Sequence, residues 1–331
     1  MALTVAVTGP TGEIGQSAVD ALEREPNVER IIGMARKPFD PAAAGWTKTE
    51  YRQGDILDTG AVDALVAEAD VVVHLAFLIM GSRAESRRIN LQGTRNVFEA
   101  STWSPKTKRL VYTSSVAAYG YHDDNPVPLT EDTPTKGSPE HYYSEQKAEC
   151  EAVLAEVTAG SDLEVYVLRP CIVAGPRAPM LADSMPWEQL AEVLPAVLRP
   201  AAAIVGAVRL LPDPGIPLQL VHHDDVAAAI AASAVGRGPA GAYNLAGAGE
   251  VSLSDIAKAF GGRGIPVPLA AARAASSALA RIPGLPAMTE WIHTSRTSVV
   301  MDTTRARDLL GWTPRYTSRE TLDALAASKR D

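Results

Sequence analysis

Tyr143 and Lys147 stand four residues apart in the run Tyr143-Ser144-Glu145-Gln146-Lys147, a spacing that places both on one face of a helix. A free phenol has a pKa of about 10 and is a poor base at neutral pH, but an ammonium held beside it favours the phenolate. Such a pair can pass a proton to or from an oxygen whose carbon is being oxidised or reduced. Chance alone produces Y-x-x-x-K in a chain with 9 tyrosines. A second segment gives the pair weight: Leu110-Val111-Tyr112-Thr113-Ser114-Ser115-Val116-Ala117-Ala118-Tyr119-Gly120. A strand that ends in hydroxyl residues delivers them to the carboxyl edge of a sheet, where open α/β folds bind ligands. Ser115, or its neighbour Ser114, could there hydrogen-bond the reacting oxygen and hold it opposite Tyr143.

A third segment, Thr8-Gly9-Pro10-Thr11-Gly12-Glu13-Ile14-Gly15, directly follows an apolar run. Glycines at 9, 12 and 15 permit a tight turn, close approach of backbone to a pyrophosphate, and close packing of the next helix, whose free N–H groups face the phosphates. A dinucleotide is expected along Gly9, Thr11, Gly12, Glu13, Ile14 and Gly15. The second strand should end on the residue that reads the adenosine ribose, and it ends Met34-Ala35-Arg36-Lys37. Two cations and no acid suit a ribose 2′-phosphate, so NADP is expected in preference to NAD, with Arg36 as its contact.

The elements that must position these groups alternate along the chain. Apolar runs of strand length lie at 3–8, 30–35, 70–76, 108–114 and 164–169. Segments with helical apolar spacing lie between them, at 14–24, 61–68, 83–101 and 142–158. Strands apolar on nearly every residue are covered on both faces, and strand–helix alternation implies a doubly wound parallel α/β sheet. After Pro170 the texture changes. Residues 175–217 and 261–286 are rich in Pro and Ala, and between them lie a strand at 218–222 and a helix at 224–234 that continue the sheet. The expected division is a dinucleotide-binding domain over 1–174, continued by 218–245, with a smaller substrate-binding lobe from 175–217 and 246–331.

T-G-x-x-G-x-x-G followed by Y-x-x-x-K resembles the extended branch of the short-chain dehydrogenase/reductase superfamily, the NAD-dependent epimerase/dehydratase type. Further landmarks are Asn90-Leu91-Gln92-Gly93-Thr94, Leu168-Arg169-Pro170 with Gly175-Pro176, Val221-His222-His223-Asp224-Asp225, and Leu309-Leu310-Gly311-Trp312-Thr313-Pro314, so the resemblance spans nearly the whole chain. It implies a Rossmann-type sheet with a smaller C-terminal lobe and a nicotinamide cofactor. The family rule that the catalytic hydroxyl lies four residues before a Tyr-Gly pair selects Ser115, beside Tyr143 and Lys147. By resemblance Asp55 bonds the adenine, with Ile56 beside it, while Leu75, Ala76 and Pro170 run along the cofactor. The alternative for Asp55 is a cap on the helix beginning near Thr59.

The resemblance leaves three readings: an oxidoreductase with net cofactor turnover, a nucleotide-sugar epimerase with bound NAD, and a non-catalytic dinucleotide sensor. A 4,6-dehydratase is set aside, because Val116 and Ala117 stand where it needs an Asp–Glu pair. The epimerase reading is weakened by Leu218-Gln219-Leu220, where sugar-nucleotide enzymes carry an Arg, although Arg177, Arg199 or Arg209 could substitute. The oxidoreductase is preferred. If the apolar segments 187–208 and 270–285 line the cleft, an aromatic or lipid-like small molecule suits it.

The 331 residues carry a net charge of −8 with no basic block, which argues against nucleic acid. Cys150 and Cys171 lack metal or CxxC spacing and read as buried free thiols of a reducing compartment. Met1-Ala2-Leu3-Thr4 runs straight into a strand without a secretory signal, so a cytoplasmic location is expected. The most apolar stretch, 193–208, is broken by Pro195, Arg199 and Pro200, so no membrane span is expected. No metal site is expected, since His222 and His223, neighbours at a strand end, should point to opposite faces. Family analogy and apolar residues in excess of a single stripe (Val153, Leu154, Val157; Val97, Phe98, Ala100) suggest a homodimer through helices 142–158 and 83–101.

Overall fold

The structure is a computed structural model that describes residues 2–79, 81–188, 209–279 and 297–330. Its centre is a seven-stranded parallel sheet. The first half supplies β1 (Leu3–Thr8), α1 (Glu13–Arg24), β2 (Val28–Ala35), β3 (Thr49–Gln53), α2 (Thr59–Val66) and β4 (Val71–His74). Next comes one long helix made of α3 (Arg83–Arg87), a π-helical turn (Arg88–Gly93) and α4 (Thr94–Trp103). β5 (Arg109–Thr113), α5 (Tyr142–Thr158), β6 (Glu164–Pro170), β7 (Ile172–Ala174) and α6 (Met180–Asp183) follow. The last described part holds β8 (Leu210–Asp213), β9 (Leu220–His222), α7 (His223–Ala234), β10 (Gly241–Leu245), α8 (Leu253–Ala259), β11 (Arg263–Pro266), α9 (Leu269–Leu279), α10 (Thr304–Leu309) and α11 (Ser318–Ser328).

Strand order in the main sheet is β10-β6-β5-β4-β1-β2-β3. The chain builds outward from β1 to β3, then returns to lay β4 on the other side of β1. That reversal opens a crevice between the carboxyl ends of β1 and β4, the place where doubly wound sheets bind ligands. The unbroken apolar strands follow from cover on both faces. Val5, Val7, Val71 and Val73 pack in one core with Ala18, Val19 and Leu22 of α1 and Val226, Ala229 and Ile230 of α7. Ala6 and Val72 point the other way, into a core with Val62 and Leu65 of α2, Val97 and Phe98 of α4, and Leu154 of α5.

Two expectations are corrected. The strand expected at 218–222 does not join the main sheet; β9 pairs with β7, and the vacant edge of β6 is taken by β10. The apolar residues assigned to a dimer face are largely inward. Val97, Phe98, Ala100 and Leu154 are buried in the second core, and Val153 and Val157 pack against it. Between the two helices run ion pairs instead: Arg83–Glu145 at 2.6 Å, Arg87–Glu149 at 2.8 Å and Arg95–Glu156 at 3.0 Å. Their apolar surplus is core because both helices also pack on each other.

The late landmarks are one mechanical unit. Asp225, at the start of α7, accepts from the Arg315 and Tyr316 backbone N–H groups at 3.0 and 3.1 Å, and its carbonyl accepts from the Trp312 indole at 2.8 Å. Among the described residues no helix is long and apolar enough to cross a membrane. Residues 189–208 and 280–296, which hold nearly all of the first apolar segment and the end of the second, lie outside the described residues.

Candidate active site

A cleft of about 600 Å³ opens at the carboxyl edge of the sheet. Gly9, Gly12, Glu13, Ile14, Gly15, Leu75, Ser115, Tyr143, Lys147 and Pro170 all line it. Thr11, Arg36, Asp55, Ile56 and Ala76 lie outside that lining.

The turn after β1 shows why its residues are glycines. Gly9 has φ of 75°, and a Cβ on it would come within 2.9 Å of the Ala76 backbone, so Ala76 lies directly behind the turn. A Cβ on Gly15 would meet the Gly9 carbonyl at 2.1 Å, which fixes α1 tightly against the turn. Gly12 differs. A Cβ there would meet nothing but the Gly9 carbonyl at 3.5 Å, and the residue is exposed to the cleft. No described residue requires glycine at this point, whereas a pyrophosphate seated on the N-terminus of α1 would. The cradle thus fits a dinucleotide.

Farther out, Arg36 is exposed just beyond β2, and none of the described ion pairs engages it. Its carbonyl accepts from Gln53 Nε2 at 3.0 Å. The cap of α2 is Asp58, which accepts from the Ala61 N–H at 3.1 Å. Asp55 therefore does not cap the helix; its Oδ1 accepts from the Leu57 N–H at 3.0 Å within its own turn. The Ile56 side chain is buried in the core, close against Gly93. Thr11 offers its carbonyl to Gln16 Nε2 at 3.4 Å.

α5 begins at Tyr142, with His141 as its cap: Nδ1 accepts from the Ser144 N–H at 3.1 Å. Lys147, one turn beyond Tyr143, is buried. Its Nζ donates to the Thr113 carbonyl at 2.9 Å and lies 3.8 Å from the centre of the Phe77 ring. Burial lowers its pKa to about 8, against the opposing effects of Cys150 and Glu151. The Phe77 ring also meets the Tyr143 ring edge-on, with centroids 5.5 Å apart. A cation buried beside the phenol is the arrangement that favours phenolate. Asn90, in the π-turn, bonds both backbone groups of Leu78 at 2.7 and 2.9 Å and Gln146 at 2.8 Å, tying this wall of the cleft to α5.

The structure separates the two candidate serines. Ser114 Oγ donates to Glu151 at 2.6 Å. Glu151 in turn holds Arg169 through Nε at 3.0 Å and Nη2 at 2.6 Å, both side chains being buried. Arg169 Nη1 donates to the Tyr119 hydroxyl at 2.9 Å, which donates to Asn244 at 2.7 Å. The Ser114 hydroxyl is thus committed as a donor to a carboxylate. Ser115 accepts from the Ala117 N–H at 3.2 Å, and no described residue accepts its hydroxyl proton. Glu151 and Arg169 were not singled out from the sequence as site residues. The signal was present in the spacing Tyr143, Lys147, Glu151, which continues one helix face for a second turn.

His74 and the paired histidines have structural partners. His74 is buried between Thr8 Oγ1 at 2.7 Å and Thr94 Oγ1 at 3.0 Å, and burial lowers its pKa to about 3. His222 and His223 do not point apart as strand neighbours would. Their ring centroids are 4.1 Å apart, and with Asp224 they form a cluster of possible metal ligands among the described residues. The strand ends at His222, and His223 opens α7, so side-chain alternation stops between them. His222 Nδ1 accepts from the Asp224 N–H at 3.2 Å, and His223 Nδ1 bonds Ser17 Oγ at 2.9 Å.

A sequence model of the NAD dependent epimerase/dehydratase family matches residues 5–246. The chain belongs to that family. An uncharacterised protein of Mycobacterium tuberculosis is 26% identical over 327 residues, covering 96% of this chain and 82% of its own length. Human 3 beta-hydroxysteroid dehydrogenase type 7 is 34% identical over 197 residues, 55% of this chain and 53% of that protein. UDP-glucose 4-epimerase of Lactobacillus helveticus is 30% identical over 184 residues, 52% of each. Among solved structures, the Bordetella bronchiseptica enzyme WbmG in complex with NAD and UDP has a TM-score of 0.72 at 19% identity, over 100% of this chain and 94% of that one. That likeness carries the fold alone: a Rossmann-type α/β sheet. Family membership makes this chain a nicotinamide-dependent enzyme of the oxidoreductase and epimerase class.

Proposed function

We propose that the chain is an NAD(P)-dependent oxidoreductase that transfers hydride between the nicotinamide and a carbonyl or alcohol carbon, with Tyr143 as proton donor and acceptor. The observation that carries this reading is the meeting of Ser115, Tyr143 and a buried Lys147 in the cleft that the glycine cradle also lines. The Gly9–Gly15 backbone would hold the pyrophosphate, Asp55 the adenine and Arg36 a ribose 2′-phosphate, which favours NADP. When bound, the nicotinamide supplies the acceptor or donor of hydride. Ser115 donates a hydrogen bond to the substrate oxygen. Tyr143 takes the hydroxyl proton in the oxidising direction and returns it in the reducing one, while Lys147 keeps positive charge beside the phenol.

An epimerase with bound NAD is the second reading, favoured by the likeness to UDP-glucose 4-epimerase. Against it stands the stretch Leu218-Gln219-Leu220, which lacks the arginine that sugar-nucleotide enzymes carry just before Val221-His222, and the Gln219 side chain is already engaged. Its amide accepts from the Met301 N–H at 2.8 Å and donates to the Met301 carbonyl at 3.4 Å, so it serves the chain itself. Arg177 pairs with Asp20, Arg209 donates to the Phe260 carbonyl, and Arg199 lies outside the described residues. A homodimer is proposed by family analogy under either reading, and a monomeric mass in light scattering would remove it.

Calorimetric titration of cofactor-stripped protein with NADP+, NADPH, NAD+ and NADH tests the proposal. Preference for the phosphorylated pair supports Arg36 as its contact and a cofactor exchanged at each turnover. NAD+ retained through purification would transfer the case to the epimerase.

A further inference from the structure

Past Ser115 and Tyr143 the cleft continues between rings and aliphatic side chains. Phe77 meets Tyr143 at 5.5 Å and 85°, His141 meets Tyr143 at 6.2 Å and 86°, and Tyr121 meets His141 at 5.3 Å and 71°. All four rings line the cleft, as do Ile79, Val173 and Met180. Edge-to-face rings in contact with one another make this side of the cleft a wall of aromatic faces and edges.

Away from the Gly9–Gly15 cradle, the described lining offers little positive charge for a second polyanion beside the dinucleotide. Lys147 is the one lysine or arginine among the described lining residues, and its ammonium is engaged by the Thr113 carbonyl and the Phe77 ring. Two acids, Glu13 and Asp183, line the same cleft. Burial, with Asp183 nearby, pushes the Glu13 carboxyl above the usual carboxylate range. Asp183 is paired with Lys329, and among the described lining residues no second lysine or arginine is left to meet a further anion.

We propose that the substrate is a neutral ring alcohol or ketone, an apolar alicyclic or aromatic body with a single reacting oxygen, and not a nucleoside diphosphate sugar. The inference rests on the reading of Ser115 and Tyr143 as the groups that hold that oxygen. The ring lies against Phe77, Tyr121, Ile79 and Val173, and its hydroxyl or carbonyl reaches back to the two hydroxyl groups. Affinity then grows with apolar area, by about fourfold for each further methylene removed from water.

The test uses the full chain loaded with NADP+ or NAD+, and three probes: cyclohexanol, trans-2-decalol and UDP-glucose. Thermal melting reads binding, and the absorbance of reduced nicotinamide reads turnover. The expected result is oxidation of both ring alcohols, with kcat/KM larger for decalol by about tenfold or more, and no stabilisation by UDP-glucose. Tyr143→Phe should abolish turnover and keep the stabilisation by decalol. Ring alcohols that neither stabilise the protein nor react overturn the inference. So does UDP-glucose binding in their place; if Tyr143→Phe then abolishes its conversion, the proton-transfer reading survives without the substrate class. Decalol that binds without being oxidised keeps the class of ligand and removes the hydride-transfer reading.

Discussion

Replacing Glu151 by Gln should cost stability and also move the pH dependence of catalysis. Glu151 is one turn beyond Lys147 on α5, in a buried pair with Arg169. Residues four apart on a helix face are about 6 Å apart at Cβ, and at an effective dielectric of ~20 two unit charges there interact by roughly 3 kcal/mol. The Arg169 guanidinium on the same carboxylate opposes most of this, which leaves an effect on Lys147 of order 0.7 kcal/mol, or about half a pH unit. The sign follows from the charges. Glu151 favours the ammonium, whose pKa burial has already lowered to about 8, so its neutralisation lowers that pKa further. In the oxidising direction the alkaline limb of the kcat profile, where Lys147 loses its proton, should move down by about half a unit. Breaking one side of a buried pair costs about 3 kcal/mol, less where the amide keeps the bond from Ser114, and the melting temperature should fall by about 5 °C. Glu149→Gln is the control: its partner Arg87 is half-exposed, so it should leave the limb in place and change stability by less than about 1 kcal/mol. A limb that stays fixed in Glu151→Gln, or moves alkaline, while the protein melts earlier would refute the electrostatic reasoning and leave Glu151 a purely structural residue.

Three other perturbations probe separate parts of the account. Gly12→Val should fold normally, since only the Gly9 carbonyl lies near its Cβ, yet raise the Kd for the dinucleotide at least about tenfold in calorimetry; unchanged affinity would remove the cradle. Arg36→Gln should weaken NADP+ by about tenfold and leave NAD+ within a factor of about two; equal effects on both would remove the 2′-phosphate contact. His74 is protonated in the unfolded chain below a pKa of about 6.5 but in the folded one only near 3, so the unfolded state takes up the extra proton between these values and stability falls as pH falls. Denaturant titrations should lose about 2 kcal/mol to this residue between pH 7 and 5, and His74→Gln should lack that component. An identical pH slope in the variant would count against a buried neutral imidazole.

What was legible in the sequence was local. The Gly9–Gly15 turn, the Tyr143–Lys147 spacing and the hydroxyl end of β5 each lie within a dozen residues, and the strands announce their two covered faces by being apolar throughout. What was not legible depended on partners far apart in the chain. Arg169 meets Glu151 because β6 returns beside β5; both serines line the cleft, but the Ser114 hydroxyl is committed to Glu151 and the Ser115 hydroxyl is not. The absence of an arginine from Leu218-Gln219-Leu220 is legible, but not the bond between Gln219 and Met301. The two histidines look like strand neighbours in sequence, but α7 begins at His223, directly after the strand ends at His222. The apolar surplus on the long helices was misread because each buries surface against the other as well as against the sheet.

The central claim is that one cleft binds a nicotinamide dinucleotide and uses Tyr143 to move the proton. Comparing wild type with Tyr143→Phe tests it most directly, with cofactor affinity measured by calorimetry and hydride transfer by the absorbance of reduced nicotinamide on one sample. The account predicts affinity within about twofold and turnover lower by at least about a hundredfold. Turnover that survives the loss of the phenol would contradict it.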